Sequence, residues 1–209
     1  MKFLCLTICL CVFFTNAICQ KSISIGKYIW ATENVSALKF NNGEVIPEAK
    51  NVEEWKSYIN LKKPACFIVI NKDGSKDILY NIYAVFDKRG LIPEGWQLTN
   101  ESQFNDLNDE LKKLENKELA IKFNFKGSIQ ISNEGIYDDD GAVFWSVFDD
   151  RNLKNIGALN MQIHYVISCG YLENEESRPP PFFNSGDFCG LESRMLPIDQ
   201  SSSLRLVKK

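Results

Sequence analysis

Two helix-start signatures constrain this chain more than any other feature of its sequence. Asn51-Val52-Glu53-Glu54 sets an N-cap asparagine three residues ahead of a glutamate, a capping-box pattern, and Val52, Trp55 and Ile59 then fall on one helical face. Asn100 and Gln103 repeat the signature. Phe104, Leu107, Leu111 and Leu114 follow at helical spacing, which predicts the longest helix over about residues 101–116. Its other face, with Asp106, Asp109, Glu110, Lys112 and Lys113, reads as solvated surface. The remaining periodic segments are apolar or alternating runs of strand length: 28–35, 66–70, 79–86, 119–125, 143–148, 159–167 and 204–207. Turn residues separate them at Gly43, 71–74, Asn133, Gly135 and 138–141. Helices early and strands concentrated late imply an α+β fold rather than a βαβ repeat.

The first residues read as an export signal. Met1-Lys2 is a short basic start, and Phe3 to Phe14 is apolar almost throughout, well short of the roughly 20 residues a membrane span needs. Ala17-Ile18-Cys19 puts small residues at the −3 and −1 positions of a cleavage site, leaving Gln20 as the new N-terminus. Acylation at Cys19 is the alternative, and the bulky Ile18 before it argues against that. The expected organisation is a signal peptide over 1–19 and one domain over 20–209, in a secreted or cell-surface protein. Cleavage leaves 190 residues with a net charge of −4, enough chain for a real core and no electrostatic footprint for nucleic acid. No later segment is long and apolar enough to form a transmembrane helix. No linker divides the chain, and 178–181 (Arg-Pro-Pro-Pro) reads as part of one loop.

Several motifs in order carry a family resemblance. From Ile29 the chain runs IWATENVSALKFNNGEVIPEAKNVEEW. Pro64-Ala65-Cys66, then LYNIYAV over 79–85, then RGLIPEGW over 89–96 follow. With Gln97 to Leu107 after them, these segments resemble the Fibrobacter succinogenes major paralogous domain, a family of secreted and surface proteins. Gly127, Gly135, Tyr137, Gly141 and Trp145-Ser146 resemble its glycine-rich stretch and W-S-S. The resemblance implies a C-type-lectin-like fold, with two helices packed on mixed and antiparallel β-structure, and it implies no reaction. Gln97, Thr99, Phe104 and Val147 depart from the family pattern. The family's closing strand has two candidates here, 190–196 through Arg194 and 203–209 through Arg205. The second is preferred, because it comes last. The family's closing cysteine is Met195 in one frame and Leu206 in the other, so Cys66 lacks that partner. Of the seven cysteines, four lie in 1–19, leaving Cys66, Cys169 and Cys189. The expected bridge is Cys169 to Cys189, with Cys66 a buried free thiol.

Chemistry-bearing residues are sparse. The one histidine, His164, lies in an alternating strand and reads as solvent-facing. No nucleophile elbow, phosphate loop or H-E-x-x-H occurs, so no catalytic residue is assigned. Cysteine spacing and a single histidine do not suit zinc. Asp138-Asp139-Asp140-Gly141 is the sharpest oxygen cluster, but it lacks the paired motifs of a calcium lectin and reads as a solvated turn. No metal and no cofactor is expected. Trp55, Trp96 and Trp145 are expected in one shared core with Tyr83, Val85, Phe104, Leu107 and Leu111. Two long loops are expected, at about 133–142 and 170–202. Tyr171, Phe182, Phe183 and Phe188 give the second more aromatic surface than solvation requires; the plainer reading is that they anchor the loop onto the domain, and the alternative makes Tyr171, Phe182 and Phe183 the candidate ligand-binding residues. The functional expectation is a non-catalytic binding or adhesion module for an extracellular ligand, a glycan or a protein. The alternatives are a structural envelope protein without a ligand and a divergent formylglycine-generating-type enzyme.

Overall fold

Both helix signatures act as the sequence suggests. A computed structural model describes residues 21–71, 74–111, 113, 129–138, 142–147, 161–168, 190–197 and 199–209. Helix α1 spans Val52–Asn60, and the Asn51 side chain accepts a hydrogen bond from the Glu54 N–H at 2.9 Å. Glu54 reaches back one residue further than a standard capping box, accepting from the Lys50 N–H at 2.9 Å. Trp55 and Ile59 are its buried face. Helix α3 spans Glu101–Leu111. Its cap is fully reciprocal: Asn100 Oδ1 accepts from Gln103 N–H at 3.0 Å, and Gln103 Oε1 accepts from Asn100 N–H at 2.9 Å. Phe104 and Leu107 are buried below it, the Phe104 ring 5.6 Å from the ring of Trp30.

Eleven strands are described: β1 Ser22–Ile25, β2 Tyr28–Ala31, β3 Cys66–Ile70, β4 Lys76–Tyr80, β5 Trp96–Asn100, β6 Ile129–Ser132, β7 Gly135–Asp138, β8 Ala142–Val147, β9 Met161–Ser168, β10 Gly190–Pro197 and β11 Leu206–Lys208. Seven form one sheet in the order β1-β2-β11-β5-β8-β9-β10. Its pairings are antiparallel except β5 with β8. Two hairpins, β3-β4 and β6-β7, stand apart. The architecture is therefore α+β with mixed and antiparallel sheet, as expected. Among the described residues no helix is long and apolar enough to cross a membrane.

The β1-β2 connection shows why a glycine stands at position 26. Gly26 has φ +56°, and a Cβ there would collide with the Asp106 carboxylate of α3. That carboxylate accepts from the Lys27 N–H at 3.0 Å, fastening the turn to the helix.

Several expectations need correction. The 79–86 run is not one extended segment: β4 ends at Tyr80 and a short helix α2, Ile82–Val85, follows. Asn81 causes the switch, because its side chain caps α2 through the Ala84 N–H at 2.9 Å. Tyr83, on α2, is only half-buried, so it is not a full core residue. The single shared core is also divided. One cluster joins Val35, Phe40, Ile46, Ile78, Tyr80, Val85, Leu91, Trp96, Leu204 and Leu206. Another joins Trp55 and Ile59 to Phe67, Val69, Leu79 and Ile131. The side chains of Leu111 and Trp145 and the predicted 119–125 strand lie outside what is described.

The predicted loop at 170–202 is shorter than expected. Residues 190–197 are β10, and Ser201 and Ser202 are fully buried. Similarly, 133–138 is mostly the tight β6-β7 hairpin, where Ser132 pairs with Gly135. Of the two candidate closing strands, β10 lies at one edge of the sheet and β11 between β2 and β5.

Candidate functional site

The motif residues converge on three internal fastenings. In the first, Asn81 is fully buried and each of its polar groups is engaged. Its Oδ1 accepts from Ala65 N–H at 3.1 Å and Ala84 N–H at 2.9 Å, its Nδ2 donates to Lys63 O at 2.8 Å, and its own N–H donates to Ala65 O at 3.1 Å. One asparagine thereby ties α2 to the approach to β3. Next to it, the Tyr80 hydroxyl donates to Ala37 O at 2.8 Å.

The second fastening is centred on Arg89. Its Nε and Nη2 donate to both oxygens of Asp87 at 2.8 and 2.9 Å, and Nη1 donates to Glu44 at 2.6 Å. The guanidinium carbon lies 4.0 Å above the Phe40 ring. Hydrogen bonding to Arg89 holds both carboxyls below their ordinary range, and the two carboxylates raise the affinity of Arg89 for its proton. Asn41 locks the same corner, donating from its backbone to Gly90 O at 2.7 Å and from its amide to Ile92 O at 2.8 Å. Gly90 has φ +77°, and a Cβ there would lie 2.8 Å from the Asn41 amide nitrogen. The N-N-G and R-G-L motifs thus form one corner of the scaffold.

The third is a buried polar relay that the sequence did not announce. Arg205 has no exposed surface. Its Nε donates to Asn34 Oδ1 at 2.9 Å and its Nη1 to Ala31 O at 3.3 Å. Asn34 in turn donates to Asp77 Oδ1 at 3.3 Å, and Asn71 donates to Asp77 Oδ2 at 3.0 Å. Burial weakens the hold of Arg205 on its proton; the charges of Asp77 and Glu33 oppose that. The one signal in the sequence was an arginine between two leucines late in the chain, where an alternating strand would have placed it in solvent.

Cys66 is buried, as expected, and unbridged. Its backbone is held on one side by β4 and on the other by Pro47 and Ala49. Burial, and secondarily the charge of Glu48, pushes its thiol up to about 11, so it is a poor nucleophile at neutral pH. Trp55 donates from Nε1 to Asp199 O at 2.8 Å, and Trp96 is buried with the Lys208 ammonium 5.7 Å from its ring. These tryptophans are structural. Among the described residues no group of three or more His, Cys, Asp or Glu could hold a metal ion.

Tyr171, Phe182, Phe183, Cys169 and Cys189 lie outside the described residues, as do 1–20 and Asp139-Asp140. What is described is where their segment is rooted. Ser168 at the end of β9 and Gly190 at the start of β10 are cross-strand partners. The two residues that flank 169–189 therefore lie side by side in the sheet. His164 sits within β9, between Trp145 of β8 and Arg194 of β10 in register.

Fold and fastenings together define an α+β module whose motif side chains brace its own corners. The model of the Fibrobacter succinogenes major domain matches residues 23–143, more than half of the chain, and the chain belongs to that family. No curated protein and no solved structure matches it. The matched span ends inside β8, so β9, β10 and β11 lie beyond it.

Proposed function

We propose that the chain is an exported, non-catalytic recognition module that binds a glycan or a protein outside the cell, on a C-type-lectin-like scaffold. One observation carries this reading: the motif side chains are spent inside the chain. Asn81 uses all its hydrogen-bonding groups on backbone partners, Arg89 is engaged by two carboxylates and a ring, and Tyr80 and Trp55 donate to backbone carbonyls. Side chains committed in this way build a scaffold, and specificity then falls to segments that vary without disturbing it. The 169–189 segment, with Tyr171, Phe182 and Phe183, is the one assigned to that task. Support for the lectin-like reading comes from the early strands β1-β2 meeting the late strand β11 in one sheet.

The test compares the unaltered chain with a Phe182→Ser, Phe183→Ser double variant on a glycan array and in pull-downs from surface extracts. Unchanged thermal stability with lost binding supports recognition by this segment. Lost stability means the rings anchor the segment to the domain. Binding that survives in a stable variant refutes the assignment. Absence of any ligand for the unaltered chain favours a structural envelope protein. Export is tested by intact mass of native material: a chain beginning at Gln20 supports it, and retained Met1 or an acylated Cys19 refutes cleavage before Gln20.

A further inference from the structure

Seven consecutive side chains, Ser201 to Val207, have no exposed surface. A Ser-Ser-Ser-Leu-Arg-Leu-Val segment is not apolar enough to drive itself inside, so the surrounding elements must supply partners for it. They do so from widely separated parts of the chain. Asp199 accepts from the Trp55 indole through its carbonyl and from the Asn133 N–H through its carboxylate. Ser201 exchanges backbone hydrogen bonds with Ile131, and its hydroxyl donates to Tyr80 O. Leu204 O accepts from Val35 N–H at 2.9 Å. Arg205 reaches Asn34 and Ala31, and Lys209 N–H donates to Gly95 O at 3.1 Å. Between Arg205 and Lys209, β11 pairs with β2 on one side and with β5 on the other.

The segment is therefore a seam. Take it away and the order β1-β2-β11-β5-β8-β9-β10 falls into a two-stranded and a four-stranded piece. Leu204 and Leu206 also belong to the cluster containing Val35, Tyr80 and Trp96, and Ser201 links Tyr80 to Ile131 of the other cluster. We infer that residues 199–209 act as a closing strap: the globule does not lock until this late segment threads between β2 and β5, with Arg205 setting its register against Asn34. The partners of Arg205 lie more than 170 positions earlier in the chain. Such contacts require a long closure, and they form after local hairpins and helices. A slip of one residue would take Arg205 off Asn34 and turn Leu204 and Leu206 to the wrong face. During synthesis, every element before the strap emerges first and waits open.

A force-profile experiment on the full chain tests this. An arrest peptide is fused after Lys209 through linkers of graded length, and the fraction of released, full-length product reports the pull of folding. The expected profile has one main peak, at linkers just long enough for Lys209 to clear the ribosomal exit tunnel. A Leu204→Asp, Leu206→Asp double variant loses that peak. A main peak at linkers that still hold 199–209 inside the tunnel overturns the inference, because the globule has then locked without its strap. So does a peak that survives the double variant, or a profile with no peak at any length.

Discussion

Replacing Arg205 by methionine tests the buried relay most directly. The change keeps much of the side-chain volume and removes the charge and the hydrogen bonds to Asn34 and Ala31. Ala31 O and Asn34 Oδ1 then lose donors now at 3.3 and 2.9 Å, and Asp77, 8% exposed, loses the attraction of the Arg205 charge. Removing one partner of a buried ionic network costs about 3–5 kcal/mol, because the other is left uncompensated. Arg205→Met is therefore expected to cost about that much. Asp77→Asn, which keeps an acceptor and removes the negative charge, is expected to cost about 1–3 kcal/mol. Because the two charges communicate through Asn34, the double variant should cost less than the sum by about 1–2 kcal/mol, within the usual range for residues of one network. Guanidinium unfolding of the four proteins measures all three quantities, provided the slopes agree. Two results would refute the reasoning. One is an Arg205→Met cost below about 0.5 kcal/mol, which is surface-like. The other is strict additivity, which would make the relay two unrelated contacts.

Alkaline pH should expose Cys66. Folding holds its proton more tightly than the unfolded chain does, so the unfolded chain sheds it first and stability falls as pH rises from about 9 towards about 11. Across that window the unaltered chain should lose about 2–3 kcal/mol more than Cys66→Val, which keeps every other titrating side chain in place; equal losses would contradict the burial of the thiol. Lys62 ends α1 with φ 53°, donating to Ile59 O at 3.0 Å while Lys63 donates to Tyr58 O at 2.9 Å, the double bond of a Schellman cap in a conformation that favours glycine. Lys62→Gly should raise stability by about 0.5–1 kcal/mol, read as a higher denaturant midpoint, and a lower midpoint would show the lysine is not strained. Ser168 and Gly190, the chain neighbours of Cys169 and Cys189, are cross-strand partners. Non-reducing peptide mapping should find them joined, closing a loop worth about 3 kcal/mol in the chain-entropy model, and free thiols at both positions in native exported material would reject the bridge.

Legibility in the sequence followed the range of the interaction. Both capped helices were readable, because Asn51 with Glu54 and Asn100 with Gln103 act within one turn of chain. Strand β3 was readable from its apolar run. The 79–86 run misled because Leu79 to Phe86 is apolar and aromatic at every position but Asn81. What divides it is the Asn81 amide, whose Lys63 and Ala65 partners come from another segment. The loop expected over 170–202 was overextended for a similar reason. Serine-rich 201–203 has a loop's composition, and only Tyr80, Ile131 and Val35, each more than 60 residues away, draw it and Leu204 inside. Arg205 was noticed as a marker of the closing strand, but its role could not be read, since a buried guanidinium is intelligible only with Asn34 and Asp77 beside it. Aromatic content is the only mark that Tyr171, Phe182 and Phe183 carry in the sequence, and what the fold adds is the point at which their segment is rooted.

The boundary of the working unit follows from the same contacts. The family model covers 23–143, yet that span is not self-sufficient. Within it, Trp55 needs the carbonyl of Asp199, Asn34 needs Arg205, Val35 needs the carbonyl of Leu204, and β2 and β5 need β11 between them. A fragment cut at 143 would leave those donors and acceptors without partners and both strands with open edges, the arrangement most prone to association. The smallest unit consistent with these bonds runs from β1 through Lys209, whose N–H still reaches Gly95. Such a unit must also carry β9 and β10, and with them the segment between Ser168 and Gly190. The proposed recognition segment therefore lies outside the matched span, between two strands of the sheet that β11 closes. Every partner named for the three fastenings lies outside 169–189.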